Sequence, residues 1–300
     1  MSNPCHLLLS FIACALLPLS GAAQAGVRVA VLDFGGTATG VRASERLSRA
    51  FASAGGLSLT DREESRAAAR GAGYAGSLNM TLDEARDLGG SLGSDFYVTG
   101  DAQTLRRSPS TGPHYFEAYA SVFVVSSRTG RLVMWDRPSF EASAPEEAEK
   151  TLLEELGRRA ARYSEAIRRA RVSESSERAQ TLARAGASLP VIEDAPDDEA
   201  AAERAGLRLP QPYRRLRPAY PDSAARAEAE ATVDVKLEID ESGEVSRVEV
   251  VRWAGFGLDE ATVATVSRLH FTPARLNGSP VPVRVLLRYN FRKPAKEVKR

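Results

Sequence analysis

Residues 231–243 read ATVDVKLEIDESG, and residues 271–291 read FTPARLNGSPVPVRVLLRYNF. In the first segment Val233, Val235, Leu237 and Ile239 alternate with Asp234, Lys236, Glu238 and Asp240. A period of two marks a strand with one face buried and one in water. Glu241-Ser242-Gly243 predicts a turn, since glycine reaches positive φ without a steric penalty. A second strand follows through Val245, Val248 and Val250. A helix is expected over 258–269, with Leu258, Ala261, Thr265 and Leu269 on one face and Val266 widening it. Asn277-Gly278 signals a hairpin. The closing strand, 281–291, sets Val281, Val283, Val285, Leu287, Tyr289 and Phe291 on one face and Arg284, Arg288 and Arg292 on the other.

The N-terminal half predicts a second α/β unit. Strands are expected over 27–34, 57–62, 95–104, 115–126 and 131–140, the last two forming a hairpin across Arg128-Thr129-Gly130. Helices are expected over 42–54, 62–70 and 82–92, and a long one from Pro145 to about Val172. Thr81 and Glu84 have the spacing of a capping box. The acidic start and basic end of the long helix complement its macrodipole. The order is β-α-β-α-α-β-β-β-α. Residues 174–216, rich in Ala, Arg, Glu and Pro, read as a linker. The fold class is therefore α+β in two domains: a sandwich-like α/β domain over 26–173 and a small β-β-α-β domain over 217–300.

Residues 1–25 read as a signal peptide, with an apolar run at 7–19 and a small-x-small site at Ala23-Gln24-Ala25. Periplasmic localisation follows, with an uncleaved inner-membrane anchor as the alternative. Both cysteines, Cys5 and Cys14, fall in this segment. Its removal would leave no disulfide, thiolate metal site or cysteine nucleophile. The net charge of +1 argues against a nucleic-acid binder, which needs a basic field.

Catalytic motifs lack their structural context. Gly89-Gly90-Ser91-Leu92-Gly93 matches G-x-S-x-G, but a helix precedes it where a nucleophile elbow needs a strand. Gly71-Ala72-Gly73-Tyr74-Ala75-Gly76 matches G-x-G-x-x-G and also follows a helix. The loop 35–40 follows a strand, but Val41-Arg42 replaces the Lys-Ser/Thr of a phosphate loop. A helix start can still hold an anion there. His114 and His270 lie in different domains. No cofactor, metal or enzymatic activity is expected.

The parts of the C-terminal domain, in their order, resemble the TonB C-terminal domain family. The matching residues are Tyr220-Pro221, Ile239-Asp240 with Gly243, Leu258-Asp259-Glu260-Ala261, Phe271-Thr272-Pro273-Ala274, Asn277-Gly278 with Pro280-Val281, and Phe291. Trp253-Ala254-Gly255 stands where the family has Ser-Ser-Gly, and Leu269 where it has Trp. The first domain resembles the α/β domain of CsgG-type curli-secretion proteins and of the outer-membrane lipoprotein activators of penicillin-binding proteins. That resemblance rests on 29–34 (VAVLDF), Asp61-Arg62, 93–100 (GSDFYVTG), and Thr129-Gly130 with Val133-x-Trp135.

The TonB resemblance implies a module that binds an extended peptide by strand addition, its last strand receiving the short box of outer-membrane receptors. The residues expected to carry this are Val281, Val283, Arg284, Val285, Leu287, Arg288 and Tyr289. Arg284 and Arg288 would meet acidic partner residues, or else keep an edge strand soluble. The implied partner is an outer-membrane receptor or another envelope protein. A homodimer and contact with the membrane are left open. The other reading makes the first domain primary, in an envelope-assembly factor for peptidoglycan synthesis or secretion.

Overall fold

The computed structural model describes residues 26–110, 112–184, 192–196 and 198–293. The expected signal peptide, with Cys5 and Cys14, lies outside the described residues. No described helix is long and apolar enough to cross a membrane.

The first domain runs β1 (Val27–Val31), α1 (Ala38–Ala54), β2 (Leu57–Leu59), α2 (Arg62–Gly71), α3 (Leu82–Leu92), β3 (Phe96–Arg107), β4 (Tyr115–Ser126), β5 (Leu132–Asp136), β6 (Ser139–Ala142) and α4 (Pro145–Arg184). The sheet order is β2-β1-β3-β4-β5, with β6 also paired to β4. Strands β2, β1 and β3 are parallel, and β3, β4, β5 and β6 pair antiparallel. Alternation along β4 sorts two cores. Ala118, Ala120, Val122 and Val124 pack with α1 and α4. Phe123 and Val125 pack on the opposite face, with α3.

Two details depart from expectation. The single strand expected over 131–140 is two strands, β5 and β6. Pro138 stands between them without an amide donor, and its carbonyl accepts from Ala120 N–H (3.1 Å). Helix α4 continues twelve residues beyond Val172, to Arg184. Its apolar pattern stops, but ion pairs from the β4–β5 turn hold the extension: Arg128 to Glu174 (2.7 Å) and Arg131 to Glu177 (3.1 Å). The expected capping box forms. Thr81 Oγ1 accepts from Glu84 N–H (3.1 Å), and Thr81 N–H donates to the Glu84 carboxylate (2.7 Å).

The rest of the chain comprises α5 (Glu199–Arg204), β7 (Leu207–Arg208), β8 (Gln211–Pro212), α6 (Asp222–Ala227), β9 (Ala231–Ile239), β10 (Val245–Arg252), α7 (Leu258–Val266), β11 (Phe271–Thr272), β12 (Arg275–Leu276), β13 (Ser279–Pro280) and β14 (Val283–Phe291). The main sheet is antiparallel, in the order β10-β9-β14. Part of the stretch read as a linker is paired to this domain: β7 joins β12, and β8 joins β11. Val233, Val235, Leu237 and Ile239 face a core closed by Leu258, Val266, Leu269 and Phe271.

The two domains share a core. Trp253, 2% exposed, belongs to the cluster of Leu32, Tyr97 and Phe123 in the first domain. Its ring stacks on Phe123 at 5.8 Å, and its indole N–H donates to Gly130 O (3.0 Å). Gly130 has φ 70°, and a Cβ there would collide with the Leu82 carbonyl. Phe256 meets Phe123 edge-on at 5.5 Å and Trp135 at 5.7 Å. Asn79 adds a polar staple. Its amide donates to Thr232 O (2.8 Å) and Trp253 O (2.6 Å), and its oxygen accepts from Thr232 N–H (3.1 Å). The residues at the Ser-Ser-Gly position are thus part of the contact that joins the domains.

Candidate functional site

This joint decides which edge of the C-terminal sheet is open. At the end of β10, Thr81 bridges Arg252, and Trp253 N–H donates to Met80 O (3.2 Å). Farther along, β10 faces β5 across a cavity of about 670 Å³, spanned by the Arg131–Glu249 ion pair (3.2 Å). A strand could pair with β10 only by entering between the domains. Strand β14 is the opposite edge. It pairs with β9 over its whole length, Val283↔Ile239 through Phe291↔Ala231.

The sequence-predicted residues divide by their place on this strand. Val281 precedes it: Pro282 intervenes, and Val281 N–H donates to Ala274 O (3.0 Å). Val283 is buried, and Val285, Leu287 and Tyr289 pack against the core. Burial pushes the Tyr289 hydroxyl pKa upward. These side chains hold the strand down, so what the edge can offer a partner is mainly its backbone.

Arg284 and Arg288, expected to meet a partner, are already paired within the sheet. Arg288 forms a two-pronged bond to Asp234 (2.7 and 2.9 Å), whose side chain is 5% exposed. Arg252 reaches the same carboxylate at 3.3 Å. Arg284 pairs with Glu238 (2.9 Å) and Asp194 (3.2 Å). The cause is register: Arg288 lies opposite Asp234, and Arg284 opposite Glu238. Opposite charges facing across antiparallel strands attract.

The outer backbone of β14 has two halves. Arg284 N–H donates to Glu193 O (2.9 Å), and Arg284 O accepts from Ala195 N–H (2.7 Å). Asp194 thereby bridges Arg284 in parallel, and its carboxylate also reaches Lys236 (3.1 Å). Lys236, and then Arg284, hold that carboxyl below its ordinary pKa. Backbone groups alternate sides along a strand, so Leu286, Arg288 and Asn290 also point outward. Their main-chain groups have no backbone partner on that side among the described residues. Leu286 is 48% exposed.

A groove of about 630 Å³ runs along this second half. Strand β14 forms one wall, from Leu287 to Phe291, and the segment 212–218 the other. Arg214, Arg215, Leu216 and Arg217 line that second wall. Sequence reading missed them because the segment reads as a linker, although the run Arg214-Arg215-Leu216-Arg217 is visible there. Asp194 was missed in the same way.

The motifs set aside earlier have structural roles. Ser91 Oγ donates to Asp87 O within α3 (2.9 Å). The start of α1 is capped by Thr37, whose Oγ1 accepts from Gly40 N–H (2.9 Å). Glu149 sits near this helix start, accepting from the side chains of Thr39 (3.2 Å) and Arg42. Asp61 caps α2 by accepting from Glu64 N–H (3.0 Å), and Arg62 binds Asp33 (2.8 Å). His270 Nδ1 contacts Glu244 (2.8 Å), and His114 packs on Phe116. Among the described residues no cluster could hold a metal ion.

Residues 217–292 match the family described as Gram-negative bacterial TonB protein C-terminal. Solved structures resemble parts of the chain. The hypothetical protein CT253 from Chlamydia trachomatis is 17% identical over 46% of this chain and 98% of its own, with a TM-score of 0.34. The TonB C-terminal domain of Pseudomonas aeruginosa is 21% identical over 29% of this chain and 90% of its own, TM-score 0.26. The LpoB C-terminal domain from Salmonella enterica is 17% identical over 40% of this chain and 85% of its own, TM-score 0.28. No curated protein matches the chain.

Proposed function

We propose that this chain is a non-catalytic envelope protein of the TonB family that binds a partner by strand addition along β14. The partner contributes an extended segment that pairs with Leu286, Arg288 and Asn290. Main-chain hydrogen bonds then give affinity, and side chains entering the groove give specificity. One observation carries this reading: among the described residues β14 is an edge strand whose second half has unpaired backbone groups beside a groove. The family match over 217–292 supports a role in TonB-dependent transport across the outer membrane, with a receptor or other envelope protein as partner.

In this reading residues 1–25 are a signal peptide, and the protein works in the periplasm. The first domain extends with α4 to Arg184, and the stretch leading to 216 enters the TonB-like domain, to which β7 and β8 are paired. The shared core at Trp253 makes the first domain a rigid mount for the binding edge.

The test is Leu286→Pro in the full chain. Proline removes one outward donor and is tolerated where the lost N–H faced solvent. Cross-linking in the periplasm with a photoreactive residue at Asn290 should capture an envelope protein in the parent chain. The Leu286→Pro variant should lose that product while keeping its far-UV circular dichroism. An unchanged product from a folded variant would overturn the reading.

A further inference from the structure

The open half of β14 is fitted to one kind of strand. We propose that the segment it receives is acidic, with carboxylates that meet Arg214, Arg215 and Arg217. The proposal rests on the strand-addition reading and adds the chemistry of the partner.

Two independent observations carry it. The first is the charge of the groove. Arg214, Arg215, Arg217 and Arg288 line it, and among the described residues no aspartate or glutamate does. Arg288 is committed to Asp234. Arg214, Arg215 and Arg217 are exposed and form no ion pair or side-chain hydrogen bond among the described residues. The sheet's own arginines at 252, 284 and 288 all have carboxylate partners. Three adjacent cations on one wall of a groove repel one another and attract a strand bearing carboxylates. The apolar neighbours Leu216, Leu269 and Leu287 line the groove between them, so a strand alternating acidic and apolar residues matches both chemistries.

The second observation is what the same edge already holds. Glu193-Asp194-Ala195 lies against Arg284 as a short parallel strand, with both backbone bonds made and its carboxylate on Arg284 and Lys236. The chain thus shows at one position of β14 how an acidic extended segment sits there. The position two residues along, Leu286, is where a partner strand would begin. None of Glu193, Asp194 and Ala195 lines the groove, whose β14 wall begins at Leu287, so among the described residues the groove is left to a second strand.

The test uses the full chain and three fluorescein-labelled nonapeptides that alternate valine with glutamate, serine or lysine. Binding is read by fluorescence anisotropy at low salt and at 0.5 M salt. The Glu-Val peptide should bind tightest, lose affinity with salt, and bind at least about fivefold more weakly to the Arg214→Gln, Arg215→Gln, Arg217→Gln triple variant, as expected from three exposed ion pairs. These three side chains are exposed, so the variant folds as the parent does. Equal binding of the Glu-Val and Lys-Val peptides, no binding of any peptide, or an unchanged affinity in the triple variant would overturn the proposal. Leu286→Pro separates the two readings. If it abolishes binding while the triple variant does not, strand addition stands and the acidic partner fails. If the triple variant alone loses binding, the arginines hold an acidic peptide without strand addition, and both readings fail.

Discussion

Replacing Trp253 by alanine should uncouple the two domains. Trp253 is buried in a core made mostly of first-domain residues, although it follows the second strand of the C-terminal sheet. Truncating a buried tryptophan costs about 3–5 kcal/mol from lost transfer energy and the cavity left behind. Gly130 O also loses the indole donor that satisfies it, and an orphaned buried acceptor costs about 1–3 kcal/mol. Because the two contributions come from one side chain, they overlap, and a loss of about 4–6 kcal/mol is expected. That is comparable to the whole stability of a small domain. Urea unfolding followed by far-UV circular dichroism should therefore change from one transition to two. Trp135 is the only other tryptophan, so fluorescence of the variant comes from β5 of the first domain, where the ring also meets Phe256 across the joint. Trp253→Phe keeps a ring against Phe123 and loses the hydrogen bond, so it should fall between. A loss below about 1 kcal/mol with a single transition would refute the shared core.

Two further outcomes follow from individual carboxylates. Asp259 caps the 254–255 turn by accepting from Ala254 N–H (2.9 Å) and Gly255 N–H (2.8 Å), yet burial pushes its pKa up to about 6. The folded chain keeps this proton up to about pH 6, whereas the unfolded chain releases it near pH 4. The native state therefore binds more protons in that window, and stability falls as pH rises through it, by about 3 kcal/mol in all. Asp259→Asn should remove this slope from a profile of Tm against pH between 4 and 6; an unchanged slope would assign it to another group. Asp194 has the opposite sign. Its folded pKa is lowered, so its contribution is present above about pH 4 and lost as pH falls through the folded value. Both its cationic partners are about one-third exposed, so Asp194→Ala should cost less than about 1 kcal/mol. It should speed amide exchange at Arg284, and no change there would mean that the backbone bonds alone hold the segment.

Much of the C-terminal domain was legible because its signals are local. Period-two alternation in 233–239 and 283–291, the turn at Gly243 and the helix from Leu258 each report on a few neighbouring residues. The pairing of Arg288 with Asp234 was also within reach. Two alternating strands in antiparallel register bring the polar side chains of one opposite those of the other, so cationic and anionic residues had to meet. The site lay deeper because its determinants are not local. Asp194 reaches Arg284 across 90 positions, and Trp253 reaches Gly130 across 123. No periodicity announces such contacts. The end of α4 was missed for a different reason: past Val172 the helix is polar and held by ion pairs, so the apolar pattern that reveals a helix was gone while the helix continued.

The central claim is that β14 accepts a further strand on its open half. Backbone amide exchange, followed by NMR on the full chain with and without saturating Glu-Val nonapeptide, tests it most directly. The amides of Leu286, Arg288 and Asn290 should become protected, and those of Val285, Leu287 and Tyr289, already bonded to β9, should not change. Bound peptide that leaves Leu286, Arg288 and Asn290 exchanging at their free rates would contradict strand addition.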